Sequence, residues 1–212
     1  MSKIINWKDK IDENELNEVS EVLKKDGVII FPTETVYGIG GNATSIEVIK
    51  KIYEIKKRPE NKPLTILLKS KKEIEKYAII QSDIERKIIN KLMPGPITLI
   101  LKKKNGCLSD EITSGKDTIG IRMPDNEIIQ KLLNKCDFPI AAPSANISGR
   151  PSNTEVQGVL EDFDGKVDLI IDGGKCKESI ASTIVYVENE KIDILREGTI
   201  SKEYISKIVS EW

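Results

Sequence analysis

The 212-residue sequence predicts an α/β protein built on a sheet of mixed strand direction. Three observations point there. Short apolar runs bounded by turn residues recur along the chain, and stretches with apolar residues at three- and four-residue spacing are interleaved with them. The two kinds of segment do not alternate strictly, as they would in a doubly wound parallel sheet.

Taken in order, Asp12-x-x-Glu15 has the form of a capping box, and Leu16, Val19, Val22 and Leu23 recur at helical spacing until Gly27 ends the pattern. Residues 28–31 then read as a buried strand. Thr44-x-x-Glu47 opens a second helix with Ile46, Ile49, Ile52, Tyr53 and Ile55 on its apolar side. Its last turn holds Lys56, Lys57 and Arg58 before Pro59, so cations meet the negative end of the helix dipole. Strands are expected at 64–68 and 98–102, helices at 74–78 and 83–92, and a turn at Asn105-Gly106. Residues 118–123 read as a strand, 127–134 as a helix, 139–142 as a strand, and 155–161 as a helix capped by Thr154. After an apolar run at 167–171, segments 183–187 and 191–195, split by Asn189-Glu190, form a hairpin, and a last helix follows Ser201. With no internal repeat, linker or low-complexity segment, one domain over residues 1–212 is expected.

Composition narrows the function. The 33 basic and 34 acidic residues balance, so the whole-molecule field suits neither a nonspecific nucleic-acid binder nor a membrane-surface protein. Between Lys50 and Lys72, however, nine Lys or Arg face two acids, Glu54 and Glu60, and that segment favours an anion. The three cysteines are an odd number without Cys-x-x-Cys spacing, which fits a reducing compartment rather than a disulfide framework or zinc cluster. The N-terminus lacks a signal-like apolar stretch, and no run approaches the ~20 apolar residues of a membrane span, so a cytoplasmic location is expected. The sequence contains no histidine, which removes Ser-His-Asp and Cys-His triads, His-x-Glu zinc sites and histidine acid–base chemistry. What remains favours reactions driven by positioning and electrostatics, chiefly phosphoryl or nucleotidyl transfer.

The richest stretch is 140–153, where Ser144, Asn146, Ser148, Arg150 and Ser152 share one connection after an apolar strand. They make a polar surface suited to a phosphate or nucleotide. Gly38-x-Gly40-x-x-Ala43 formally matches a dinucleotide fingerprint, but six residues separate it from the preceding strand, and no P-loop motif is present.

Seven ordered motifs carry a resemblance. They are Pro32-Thr-Glu-Thr-Val-Tyr-Gly38; Lys56-x-Arg58-Pro59 with Lys62-Pro63-Leu64; Met93-Pro-Gly-Pro-Ile-Thr-Leu99; Thr118-x-Gly-x-Arg122-Met-Pro124; Ala142-Pro-Ser-Ala-Asn146-x-Ser-Gly149; Ser182-Thr183; and Leu195-Arg196-Glu-Gly198. Over residues 27–198 the chain resembles the YrdC-like threonylcarbamoyl-AMP synthase family. The resemblance implies a single twisted, mixed-direction sheet with flanking helices and a large concave cleft. It also implies that L-threonine, bicarbonate and ATP are joined into threonylcarbamoyl-AMP with release of pyrophosphate, the first step of threonylcarbamoyl-adenosine formation on tRNA.

Carried over by position, the resemblance makes Lys56 and Arg58 catalytic and gives ATP to Arg58, Lys62, Thr118, Ser144, Asn146, Ser152 and Arg196. Lys56, Arg58 and Lys62 are the electrostatic partners that attack at the α-phosphorus requires. Threonine falls to Thr35, Arg122, the backbone of Ala142, and Ser182, with Arg122 gripping the carboxylate at two points. Magnesium is expected with ATP, although no acidic cluster marks its ligands. Glu34 is a candidate for orienting a group in the site. Some family members carry a histidine where this chain has Leu67, which leaves that part of the threonine pocket apolar. The chain reads as the short form, without the additional C-terminal domain of longer members. A transient hand-off to the tRNA threonylcarbamoyl transferase and contact with tRNA are then expected, and no membrane. The alternative is a non-catalytic double-stranded RNA- or tRNA-binding module of the same fold, against which the balanced charge and 5% aromatic content argue.

Overall fold

Apolar alternation sorts the strand side chains onto the two faces of one eleven-stranded sheet. The computed structural model describes residues 1–210. In chain order the elements are β1 (Lys3–Asn6), α1 (Glu13–Lys24), β2 (Ile29–Phe31), β3 (Gly38–Asn42), α2 (Ile46–Lys56), β4 (Thr65–Leu67), α3 (Ile74–Tyr77), β5 (Ala78–Ile79), α4 (Asp83–Leu92) and β6 (Ile97–Lys103). They continue with α5 (Asp110–Thr113), β7 (Thr118–Arg122), α6 (Glu127–Lys135), β8 (Ile140–Ala141), α7 (Val156–Phe163), β9 (Leu169–Asp172), β10 (Thr183–Glu188), β11 (Lys191–Arg196) and α8 (Lys202–Ser210). The sheet order is β1-β9-β2-β3-β8-β4-β7-β6-β10-β11, with β5 on the side of β6. Pairs β1/β9, β2/β9, β4/β7 and β6/β10 are parallel and the others antiparallel, so the direction is mixed as expected.

Strand β3 departs from the sequence reading, which had considered the glycines there as a loop fingerprint. They are needed for close approach within the sheet. A Cβ on Gly40 would collide with the carbonyl of Ala141, and one on Gly41 would lie 2.6 Å from Val48 Cγ1 and 2.8 Å from the Gly27 carbonyl oxygen. With glycine at three of its five positions, β3 shows no apolar alternation to read. The short elements β1, β5 and α5 also lie below the length at which periodicity is visible.

Helix starts show which polar side chain wins each cap. Asp12 accepts from the N–H groups of Asn14 and Glu15 at 2.8 and 3.1 Å, but the Glu15 carboxylate takes the Trp7 indole N–H at 2.7 Å, so only half of the expected box forms. Ser45, not Thr44, caps α2; Thr44 instead donates its hydroxyl to Asn42 Oδ1 at 2.7 Å. Thr154 does not cap α7, which has Glu155 at that position, while the Thr154 carbonyl accepts from Cys176 N–H at 2.9 Å. A complete capping box occurs at α4, between Ser82 and Glu85. The hairpin turn matches its expectation, with Asn189 and Glu190 both left-handed.

The core lies on both faces. Ile66, Ile97, Leu99, Ile119, Ile121 and Val185 join residues of α2, α4 and α8 in one cluster. Ile5, Ile29, Phe31, Leu169 and Ile171 face the other way, against α1 and α6. Phe31 and Leu67 belong to that second cluster and also line a cleft, which marks where helical cover ends and the same sheet face opens. No helix among the described residues is long and apolar enough to cross a membrane.

Candidate active site

Strand register lays out the cleft floor. Leu67 pairs with Arg122 and Thr65 with Gly120, Gly120 pairs with Ile100, and Thr98 pairs with Ile184. These residues all line one cavity of about 420 Å³. A Cβ on Gly120 would stand 3.1 Å from Thr65 Oγ1 and 3.3 Å from Ile100 Cδ1, so glycine keeps the centre of the floor flat. Loops after β2, α2 and β8 form the rims.

Five cations line the cleft, Arg58, Lys62, Lys116, Arg122 and Arg196, and no carboxylate is among its described lining residues. Each arginine is anchored through Nη2. Arg58 donates from Nε to the Lys62 carbonyl at 3.0 Å and from Nη2 to the Pro63 carbonyl at 2.8 Å. Arg196 donates from Nε and Nη2 to the Ser182 carbonyl at 3.1 and 2.8 Å. Arg122 donates from Nη2 to Glu34 Oε1 at 2.8 Å and to Thr35 Oγ1 at 2.9 Å. Desolvation in the cleft wall lowers the pKa of Arg196, and the charges of Arg122 and Arg58 lower it further, so the three guanidinia share one field. Held guanidinia around an open floor form a pre-organised anion site.

The sequence-predicted residues divide into two layers. Arg58, Lys62, Thr118, Arg122, Ala142, Ser144, Ser182 and Arg196 line the cleft. Lys56, Thr35, Asn146 and Ser152 are not among the residues that line that cavity. Lys56 is 1% exposed, and its Nζ donates to the carbonyls of Ser144 and Asn146 at 2.5 Å each. Its own carbonyl accepts from Ser148 N–H at 2.9 Å. Burial, then the neighbouring charge of Arg58, pulls its pKa down to about 7. In this arrangement Lys56 pins the 144–148 loop through both carbonyls.

Asn146 is used in the same way. Its Oδ1 accepts from Ser144 Oγ at 2.6 Å and from Ser152 Oγ at 3.4 Å, and its Nδ2 donates to the Ile147 and Arg150 carbonyls at 3.0 and 2.8 Å. Arg150 turns away to pair with Asp162 at 2.8 Å. The polar density that made this loop conspicuous in sequence thus mostly satisfies the loop itself, and Ser144 is the part delivered to the cleft. Ala142 has its N–H committed to the Thr65 carbonyl at 2.8 Å, so its carbonyl is the group it can offer.

Sequence reasoning missed Lys116, Asn61, Thr65 and Thr98, all on the lining. Thr98 shares a 2.9 Å hydrogen bond with Ser182, joining β6 to β10 at the floor. Period-two alternation within 97–103 could have placed it. Lys116 follows Gly115, whose positive φ turns the chain into β7, and only that turn signal precedes it. A resident magnesium ion does not fit this donor set. No group of three or more His, Cys, Asp or Glu able to hold a metal occurs among the described residues, and the cleft offers hydroxyls and cations.

Fold and cleft together define an α/β protein that gathers anions on an open sheet face. A model of the Sua5/YciO/YrdC family, described as "Telomere recombination", matches residues 21–198. The chain belongs to that family. It is 44% identical to a Methanocaldococcus jannaschii protein over 202 residues, covering 93% of this chain and 94% of the relative. It is also 39% identical to the Pyrococcus abyssi threonylcarbamoyl-AMP synthase, covering 100% of this chain and 62% of that longer protein. The crystal structure of P. abyssi Sua5 complexed with L-threonine superposes with a TM-score of 0.94 at 38% identity, over 99% of this chain and 62% of that one. The chain therefore spans about three fifths of the length of the P. abyssi relative and nearly all of the M. jannaschii one.

Proposed function

We propose that this protein is an L-threonylcarbamoyladenylate synthase. It would condense the threonine amine with bicarbonate to a carbamate, whose oxygen attacks the α-phosphorus of ATP, giving threonylcarbamoyl-AMP and pyrophosphate for tRNA threonylcarbamoyl-adenosine formation. The observation that carries this reading is the lining of the cleft. Leu67 pairs with Arg122 on the floor and Phe31 and Val36 add apolar surface, while Arg58, Lys62, Lys116 and Arg196 provide further cations without a lining carboxylate. In this reading the cleft has two ends, Arg122 with the apolar lining taking an amino-acid carboxylate and small side chain, and the other cations a triphosphate. The threonine complex of P. abyssi Sua5 and the activity named for the P. abyssi relative support the same assignment.

In this reading Arg58 and Arg196, held through Nη2, present Nη1 to oxygens on which charge builds as pyrophosphate departs. Ser144 and Thr118 offer hydroxyls to the nucleotide. Lys56 acts at one remove, as the positioning residue that holds the Ser144 loop. Magnesium enters on the triphosphate as part of the substrate, and no step is assigned to it. The product is a reactive mixed anhydride, so a downstream transferase would receive it directly and carry it to tRNA.

The test is mass spectrometry on purified protein with ATP, magnesium, L-threonine and bicarbonate, each omitted in turn. Threonylcarbamoyl-AMP that requires both threonine and bicarbonate, and disappears in Arg58→Ala, is the expected result. Folded protein that makes no product under full conditions refutes the proposal.

A further inference from the structure

Arg122 and Glu34 form an ion pair at 2.8 Å with side chains only 9% and 7% exposed. Glu34 does not line the cleft; it backs the guanidinium from inside. The pairing is single, since Arg122 Nε and Glu34 Oε2 are both buried without a partner. Proton accounting fixes the remaining bonds. Thr33 Oγ1 gives its hydrogen to the Val36 carbonyl at 2.7 Å, so the Thr35 hydroxyl donates to Thr33 at 2.9 Å and can only accept from Arg122. Both hydrogens of Nη2 are therefore engaged, and Nη1 is left without a protein acceptor. The expected two-point grip on a carboxylate through Nη1 and Nη2 would have to displace Thr35 or Glu34.

The other two cleft arginines are backed by carbonyl dipoles, Arg58 by Lys62 and Pro63 and Arg196 by Ser182. Their full charge remains. A guanidinium 2.8 Å from a carboxylate is instead, from a few ångströms away, a dipole whose field falls off faster than that of a charge. A single carboxylate touching Nη1 still gains a charge-assisted hydrogen bond, whereas a polyphosphate gains more at the uncompensated cations.

We propose that Glu34 is a specificity-determining, positioning residue, which by offsetting part of the charge of Arg122 keeps that guanidinium for the monoanionic carboxylate of the amino acid and leaves polyphosphate to Arg58 and Arg196. This rests on the synthase reading above.

Calorimetric binding of L-threonine, with and without pyrophosphate, to the intact protein and to Glu34→Gln tests it. The unsubstituted protein binds threonine whether or not pyrophosphate is present. In Glu34→Gln threonine alone binds at least as tightly as before, and pyrophosphate now displaces it competitively, with an apparent threonine affinity about tenfold weaker when pyrophosphate is present. Because Glu34→Gln leaves Arg122 charged and uncompensated, the double variant Glu34→Gln/Arg122→Gln, which buries no charge, guards against loss of folding. It should lose threonine binding while keeping pyrophosphate affinity within about threefold. Absence of pyrophosphate competition in Glu34→Gln overturns the inference, as does a tenfold loss of threonine affinity in the absence of pyrophosphate, which would make Glu34 a purely structural support of Arg122. A tenfold loss of pyrophosphate affinity in the double variant also overturns it, by placing Arg122 at the phosphate end. If the unsubstituted protein binds neither ligand, the synthase reading itself fails and the inference with it.

Discussion

The arginines of the cleft present the same side chain and differ in what stands behind it. Arg58 and Arg196 lean on backbone carbonyls and keep an uncompensated charge, whereas Arg122 leans on the Glu34 carboxylate, which offsets part of its charge. A carbonyl fixes a guanidinium without cancelling it, while a carboxylate does both. In the proposed reading one residue type serves a polyanion and a single carboxylate within one cavity, and the discrimination lies in the layer behind the lining.

The comparison breaks most visibly at Arg58. Removing its guanidinium should lower kcat/KM for ATP by about 10²- to 10³-fold with threonine affinity retained, as steady-state kinetics and threonine titration would show. Next in size is Lys56→Met, which leaves the Ser144 and Asn146 carbonyls buried without their donor. An activity loss of about ten- to a hundredfold is expected, and Lys56→Arg should not restore it, because the larger fork has no room in a site that is 1% exposed.

Lys56 also predicts a pH dependence. Its pKa falls from 10.5 in the unfolded chain to about 7 in the fold, so between those values the unfolded state binds the extra proton and stability rises with pH. Arg58 and Asp162 are the charges that act on it, the first lowering and the second raising its pKa. Urea midpoints of the unsubstituted protein should rise relative to Lys56→Met from pH 7 toward pH 10, and below pH 7 the difference should be flat. The smallest effect belongs to Lys62→Ala. That side chain is solvent-exposed, so KM for ATP should rise about two- to fivefold and the effect should shrink at high salt.

Much of the fold was legible because strand residues alternate and helix stripes repeat, as in 97–103 and along Leu16, Val19 and Leu23. Strand β3 was not, because Gly38, Gly40 and Gly41 carry no pattern. Which side chains line the site was only half legible. Motif spacing located the Lys-x-Arg and Ser-x-Asn segments but could not say that Arg58 and Ser144 line the cleft while Lys56 and Asn146 bond to Ser144 from outside the lining. One signal was available: Ile49, Ile52, Tyr53 and Lys56 follow the i, i+3, i+4, i+7 spacing of a buried stripe, so Lys56 occupies a core position of α2. Glu34 had no such signal, since its role depends on Arg122, 88 residues away in sequence.

The most direct test of the two-ended cleft is crossed calorimetry, with threonine and ATP each titrated into Arg58→Ala and Arg122→Ala. The account predicts that Arg122→Ala loses threonine binding and keeps ATP, and that Arg58→Ala weakens ATP and keeps threonine. If either substitution weakens both ligands equally, in protein with an unchanged melting transition, the two ends are not separate sites and the account is wrong.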